Sequence, residues 1–203
     1  MSAAAEPRPG PGRPSTGARE RILEAGLEVL KADAYAGLTV AKVAARAGEN
    51  KALIAYHFGS KEVLVAAAGG LLGEQITAAV IETVGEASTV EDVVRGALDG
   101  IWKLMDRDAR VARVYFDLGA VSVVEDGVRD VMNAERSRWR EVLLELLCEV
   151  EPAVPRGRAE GLAILISAGI DGLALERLES GDGRALRQAR ELFVRSVVAA
   201  AAS

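Results

Sequence analysis

The 203-residue chain has one cysteine, one histidine and few aromatic residues, 4% of the total. Each scarcity removes a class of chemistry. With Cys148 alone there can be no intramolecular disulfide and no cysteine cage for zinc, and its place in an apolar stretch predicts a buried thiol. With His57 alone, serine or cysteine triads lack a base. No carboxylate stands three or four residues from it either, as a di-metal helical bundle requires. Chemistry by carboxylates alone stays open, since Asp and Glu number 30, but nothing singles it out. No enzyme, metal or cofactor is therefore expected. The N-terminus lacks the apolar segment of a signal peptide, and no uninterrupted apolar run reaches membrane-spanning length, so a cytoplasmic protein without a membrane partner is expected.

What is present is helical. Half of the residues are hydrophobic, and nothing alternates with period two for long enough to demand a sheet. The spacing predicts an all-α protein of about nine helices. Residues 1–18 form a basic Pro/Gly-rich arm expected to be disordered; residues 19–65 form a small domain; residues 66–203 form a larger one. The first helix is expected over 18–31, and the segment Asp33 to Leu38 breaks it. Further helices are expected over 61–84, 89–106, 108–123, 126–150, 156–179 and 183–201, divided by Ser, Thr, Pro and Gly. Gly69, Gly70 and Gly73 interrupt the first of these and mark a flexible or closely packed section. They are not a phosphate loop, because no strand precedes them and no Gly-Lys-Ser/Thr follows. Charge is uneven: residues 1–65 hold nine Lys/Arg against seven Asp/Glu, and the remainder sixteen against twenty-three, giving the net −5. A polyanionic partner suits only the N-terminal part.

That part contains the most informative stretch, Thr39 to Leu64. Val40, Val43, Ala44 and Ala47 fall at i, i+3, i+4 and i+7 behind Thr39, a natural N-cap. Gly48 sits where a chain leaving a helix needs positive φ. Asn50 then caps a second short helix, whose inward face is Leu53, Ile54 and Phe58. Lys51, Ala52, Ala55, Tyr56 and His57 remain outward: small, aromatic or donor-bearing, as suits a helix in a DNA major groove. The grammar is that of a helix-turn-helix, closed by Gly59-Ser60-Lys61-Glu62. The segment, with the helix before it, resembles the DNA-binding domain of tetracycline-repressor (TetR) family regulators, most clearly from Ala47 to Leu64. One position departs from the family pattern: Glu49 stands where an apolar residue usually anchors the turn, and a carboxylate there opposes phosphate binding unless it points away or meets a cytosine amino group.

The resemblance implies that Lys51, Ala52 and Ala55 face base edges, joined by Asn50, and that Thr39, Tyr56, His57 and Lys61 clamp phosphates. For His57 the other reading is a surface imidazole. In the arm, Gly12-Arg13-Pro14 resembles a minor-groove hook, with Arg13 as the inserted side chain.

The larger domain is written less specifically. Trp102, Met105, Tyr115, Phe116, Met132 and Trp139 can line an apolar effector cavity between helices or be plain core. Asp117 and Asp171 interrupt apolar runs. Either could select a cationic or hydroxyl-bearing effector, lie on an exposed face, or pair with Arg113 or Arg177. In the last two helices Leu162, Ile166, Gly169, Leu173, Leu186, Phe193 and Val197 offer apolar stripes able to close a four-helix bundle between two copies, which is how the family dimerises; internal packing competes for the same residues. The resulting expectation is a homodimeric, ligand-responsive transcriptional regulator, a repressor that leaves a palindromic double-stranded DNA operator when a small molecule binds. The alternatives are a helical ligand-binding or adaptor protein whose helix-turn-helix does not bind DNA, favoured by Glu49, and, last, a helical-bundle enzyme.

Overall fold

A computed structural model describes residues 17–85 and 87–203; the arm with Arg13 lies outside the described residues. Among those described, nine α-helices and no strand occur: α1 Ala18–Gly37, α2 Val40–Ala47, α3 Lys51–Phe58, α4 Lys61–Val84, α5 Val90–Arg107, α6 Arg110–Val121, α7 Asp126–Glu149, α8 Arg156–Ser180 and α9 Arg184–Ala202. α1 runs past Lys31, but its regular geometry fails at Ala34, whose φ of 59° and ψ of −178° kink the chain. This is where the DAYAGL segment is expected to break the helix. A non-glycine residue with positive φ is strained, and holding it requires tertiary contacts.

α4 is continuous through Gly69, Gly70 and Gly73, and the expected interruption does not occur. Of the two expected readings, a flexible or a closely packed section, the glycines serve close packing. A Cβ at Gly69 would lie 3.4 Å from Leu118, and one at Gly73 only 2.2 Å from Glu135 Oε2. By length and composition α4 is apolar enough to cross a membrane. In this fold it packs instead against α1, α5 and α7. Its contact with α5 is the tightest: a Cβ at Gly100 would come within 2.7 Å of Val80 Cα, and one at Gly96 within 2.8 Å of Val84 Cα. Thr83 Oγ1 adds a 2.7 Å hydrogen bond to the Gly96 carbonyl.

Two large apolar clusters hold the molecule together. One joins Ile22, Leu30, Val43, Ile54, Phe58 and Leu64 from the first four helices to Val114, Leu118, Val128 and Met132 of α6 and α7, so packing does not divide at residue 65. The other gathers α4, α5, α7, α8 and α9 around Val93, Leu98, Leu143, Leu147 and Ile166. Cys148 is half-buried at its edge, less enclosed than its apolar surroundings in sequence imply.

The residues proposed for a dimer interface belong largely to this second cluster. Leu162, Ile166, Leu186 and Val197 are buried within the subunit, and Leu173 and Phe193 pack on it. Gly169 makes room for Phe193, whose ring would lie 2.2 Å from a Cβ there. The physical reason is that α8 is apolar on two faces, and these residues form the inward one. The outward one is different: Ile164 is 52% exposed and Leu165 47%, with Ala168, Gly172 and Leu175 continuing the stripe and Leu192 of α9 beside it.

Candidate nucleic-acid interface and effector cavity

Short-range hydrogen bonds shape the helix-turn-helix. Thr39 Oγ1 accepts from Lys42 N at 3.2 Å and caps α2. Gly48, at φ 67°, ends it with its N–H on the Ala44 carbonyl. Asn50 Oδ1 accepts from Leu53 N at 2.8 Å and opens α3; Gly59, at φ 72°, closes it. Ser60 Oγ then accepts from Val63 N at 3.3 Å to start α4. Hydrogen bonds from its own backbone N–H and from the Ser60 hydroxyl hold the Glu62 carboxyl below its ordinary pKa, completing that helix start. Ile54 and Phe58 anchor α3 in the core, while Lys51, Ala52, Ala55 and Tyr56 face outward, Tyr56 being 74% exposed.

Glu49 turns away from that surface. Its carboxylate meets Arg21 Nη2 of α1 at 2.5 Å, so the turn is anchored by an ion pair where the family uses an apolar side chain. Two of the expected phosphate ligands lie against their own domain. Lys61 Nζ donates to the Tyr35 carbonyl at 3.2 Å and lies 4.4 Å from the centre of the Tyr35 ring. His57 is half-buried, its Nε2 enclosed without a hydrogen-bond partner among the described residues and its ring edge-on to Tyr56 and Phe58.

The second site is a pocket, partly open to solvent, between α4, α5, α6, α7 and α8. Met105, Tyr115, Phe116, Trp139 and Asp171 line it; Trp102, Met132 and Asp117 do not. Helical rotation explains the three corrections. Trp102, one residue beyond the lining Ile101, faces α8 and α9, with Arg190 at 4.3 Å and Arg177 at 5.2 Å from its ring centre. Met132 is buried in the N-terminal cluster. Asp117 sits one step past Phe116 on α6 and faces α1, where its Oδ2 accepts the Tyr35 N–H at 2.7 Å. That bond supplies a partner for an N–H freed by the kink at Ala34. Neither acid makes the expected pair with Arg113 or Arg177; Arg177 binds Asp106 and the Trp102 carbonyl.

Asp171 is enclosed by the cavity wall, and burial raises its pKa above the ordinary value. The Tyr115 hydroxyl donates to its Oδ2 at 3.0 Å. Burial and the nearby Asp171 carboxylate in turn push the tyrosine up to about 12. Two charged lining residues escaped the sequence reading, Glu135 and Arg136. A signal for them exists, since Met132, Glu135, Arg136 and Trp139 fall at i, i+3, i+4 and i+7, placing two charges within an apolar stripe. Burial also raises the Glu135 pKa, against the opposing pull of Arg138, which it meets at 3.0 Å. Among the described residues no cluster of His, Cys, Asp and Glu could hold a metal ion.

Comparison with known proteins places both sites in one architecture. Residues 22–68 match the model for bacterial regulatory proteins of the tetR family, and residues 90–202 that for the C-terminal part of BetI-type transcriptional repressors. A comparison with curated proteins finds no match. Among solved structures, a transcriptional regulator from Rhodococcus sp. Rha1 shares 22% identity at a TM-score of 0.74, over 89% of this chain and 96% of that one. The regulator FadR from Bacillus subtilis, in complex with stearoyl-CoA, is 17% identical at a TM-score of 0.68, over 89% and 98%. The multidrug binding protein EbrR, complexed with imidazole, is 23% identical at 0.67, over 89% and 94%. At these identities the likeness carries the fold.

Proposed function

Because the chain belongs to the TetR family of bacterial regulatory proteins, we propose that it is a ligand-responsive repressor that occupies a palindromic operator as a homodimer and leaves it when a small molecule fills the cavity. The observation that carries this reading is α3, held between two glycine-closed turns with Lys51, Ala52, Ala55 and Tyr56 outward. Lys51, Ala52 and Ala55 meet base edges, as does the Asn50 amide, whose oxygen is already committed to its cap. Tyr56 and Thr39 meet phosphates. One eight-residue helix reads too little sequence alone, and a two-fold partner doubles the contacts. The exposed stripe of Ile164, Leu165, Ala168, Gly172 and Leu175 is the surface for that partner. A DNA partner sets the protein's workplace in the cytoplasm.

Two helices run from the cavity to the DNA-binding domain. α4 lines the cavity at Gly73, Ile76 and Thr77 and begins at Lys61, clasped to Tyr35. α6 lines it from Val111 to Phe116 and ends its lining turn beside Asp117, bonded to the same Tyr35. An effector that binds better to an arrangement in which these helices have shifted re-aims α3 relative to its partner, and repression is lost through geometry. The adaptor reading loses its support with Glu49, whose carboxylate is spent on Arg21.

Fluorescence anisotropy of the full chain on DNA from its own upstream region tests the proposal. Binding is expected to weaken steeply with salt. Lys51→Ala should cost about 1–3 kcal/mol at one base position and relax preference there, while Tyr56→Phe should weaken all sequences alike. Absence of salt-dependent binding would sink the operator reading.

A further inference from the structure

The helix α3 is fixed unevenly along its length. Its two buried side chains, Ile54 and Phe58, lie in its middle and at its C-terminal end, with Leu53 half-buried beside them. The N-terminal end has no buried anchor: Asn50, Lys51 and Ala52 are all exposed. The Asn50 cap belongs to α3 and turns with it, so it does not set the direction of the helix. Behind it the turn is open, with nothing within 4 Å of the place a Cβ at Gly48 would take. The contact that ties this end to α1 is made by Glu49, whose backbone N–H donates to the Ala44 carbonyl at 3.0 Å and whose carboxylate meets Arg21 at 2.5 Å. The Glu49 side chain is only 15% exposed, so the pair is less screened by salt than an ordinary surface ion pair.

The first turn of α1 reaches the other end of α3 as well. Arg19, two residues before Arg21, places its guanidinium 5.5 Å from the centre of the buried Phe58 ring. By charge alone Arg21, at the edge of a DNA-reading surface, suits a phosphate. Its geometry argues otherwise, because the Glu49 carboxylate at hydrogen-bond distance offsets the charge that would draw a phosphate oxygen. Base-edge hydrogen bonds weaken steeply outside about 2.7–3.2 Å, so a displacement of about 1 Å at the N-terminal end of α3 is enough to spoil reading there.

We propose that Arg21 and Glu49 are positioning residues for DNA reading: the pair sets the direction of α3, and with it the discrimination exercised by Lys51 and Ala52, without adding a phosphate contact. The inference rests on the operator reading and deepens it, since it puts a determinant of sequence preference on α1, outside the helix that enters the groove.

The test is competition anisotropy with the full-length protein on a labelled duplex from its own upstream region, displaced by the same duplex or by a shuffled duplex of equal composition. The ratio of the two affinities measures discrimination. Glu49→Gln and Arg21→Gln change charge in opposite directions, yet each is expected to lower discrimination roughly fivefold, and the double variant no further than either alone. Binding of the shuffled duplex should persist in all three, which also shows that they are folded, and its salt slope should be unchanged in Arg21→Gln. Were the residues acting only as charges near DNA, Glu49→Gln would tighten both duplexes and Arg21→Gln loosen both with discrimination intact, and the proposal fails. A salt slope smaller by about one unit in Arg21→Gln assigns that side chain to a phosphate and overturns it. Additive losses in the double variant overturn the pairing, and equal loss of both duplexes makes the pair structural only. In each of these cases the operator reading survives. If the unaltered chain does not prefer its upstream duplex over the shuffled one, both readings fall together.

Discussion

The helix-turn-helix and the cavity handle their polar groups in opposite ways. Between Thr39 and Ser60 each helix start is capped by a side chain three residues away and each helix end by a glycine N–H, and the one awkward carboxylate, Glu49, is neutralised by Arg21. The cavity leaves Asp171 and Glu135 in an apolar wall with raised pKa values. A surface that reads DNA must be rigid before the DNA arrives, so its polar groups are satisfied internally and its outward donors stand free. A cavity that senses a ligand gains from groups that the ligand completes, and it carries their cost until then. Between the two lies the kink at Ala34, where Tyr35 is held by Asp117 on one side and Lys61 on the other.

Three substitutions can break or sharpen this contrast. The largest effect is expected at the join. Asp117→Ala strands the partly buried Tyr35 N–H beside a strained residue and should cost about 1–3 kcal/mol in denaturant unfolding. It should also raise hydrogen exchange at the Tyr35 amide, and unchanged exchange there would show that Asp117 does not hold the kink. Asn50→Ala removes a local cap and should cost about 1 kcal/mol; a loss well beyond that would mean that α3 is less self-contained than its hydrogen bonds indicate.

The smallest effect carries the opposite sign. Burial raises the folded-state pKa of Asp171 above its ordinary 3.8. Between the unfolded and folded values the native state holds the extra proton, so stability falls as pH rises through that window and stays lower above it. Asp171→Asn keeps an acceptor for Tyr115 without the charge. Its melting temperature in the absence of ligand should be slightly above that of the unaltered chain at neutral pH, with the difference vanishing as pH falls below about 3.8. A lower melting temperature at neutral pH would show that the carboxylate is already well compensated and the contrast overdrawn.

Legibility followed the range of the interactions. Thr39, Gly48, Asn50 and Ser60 act on groups a few residues away, so their types and spacing suffice to place α2, α3 and the start of α4. The five C-terminal helices, too, fall within about two residues of their expected bounds, because caps and periodicity are local. Rotation about a helix axis is a different matter. Asp117 and Phe116 are neighbours in sequence, yet one faces α1 and the other the cavity. Likewise the wide apolar surface of α8 does not say which face is internal, and Leu162 and Ile166 prove to be core while Leu165 is exposed. The glycines of α4 read as a flexible or closely packed section and those of α5 carry no signal, since the choice depends on what approaches them: Glu135 at Gly73, the backbone of α4 at Gly100.

The sequence by itself determined that this is an all-helical protein with a helix-turn-helix of the TetR kind, because caps, turn glycines and 3.6-residue periodicity act within a few residues of one another. Only the tertiary structure decided what Glu49, Asp117 and Asp171 do. A carboxylate can anchor a turn, hold a kink or face an apolar cavity, and the choice depends on the group that packing brings opposite it: Arg21 from 28 residues away, the Tyr35 amide from 82, the Tyr115 hydroxyl from 56.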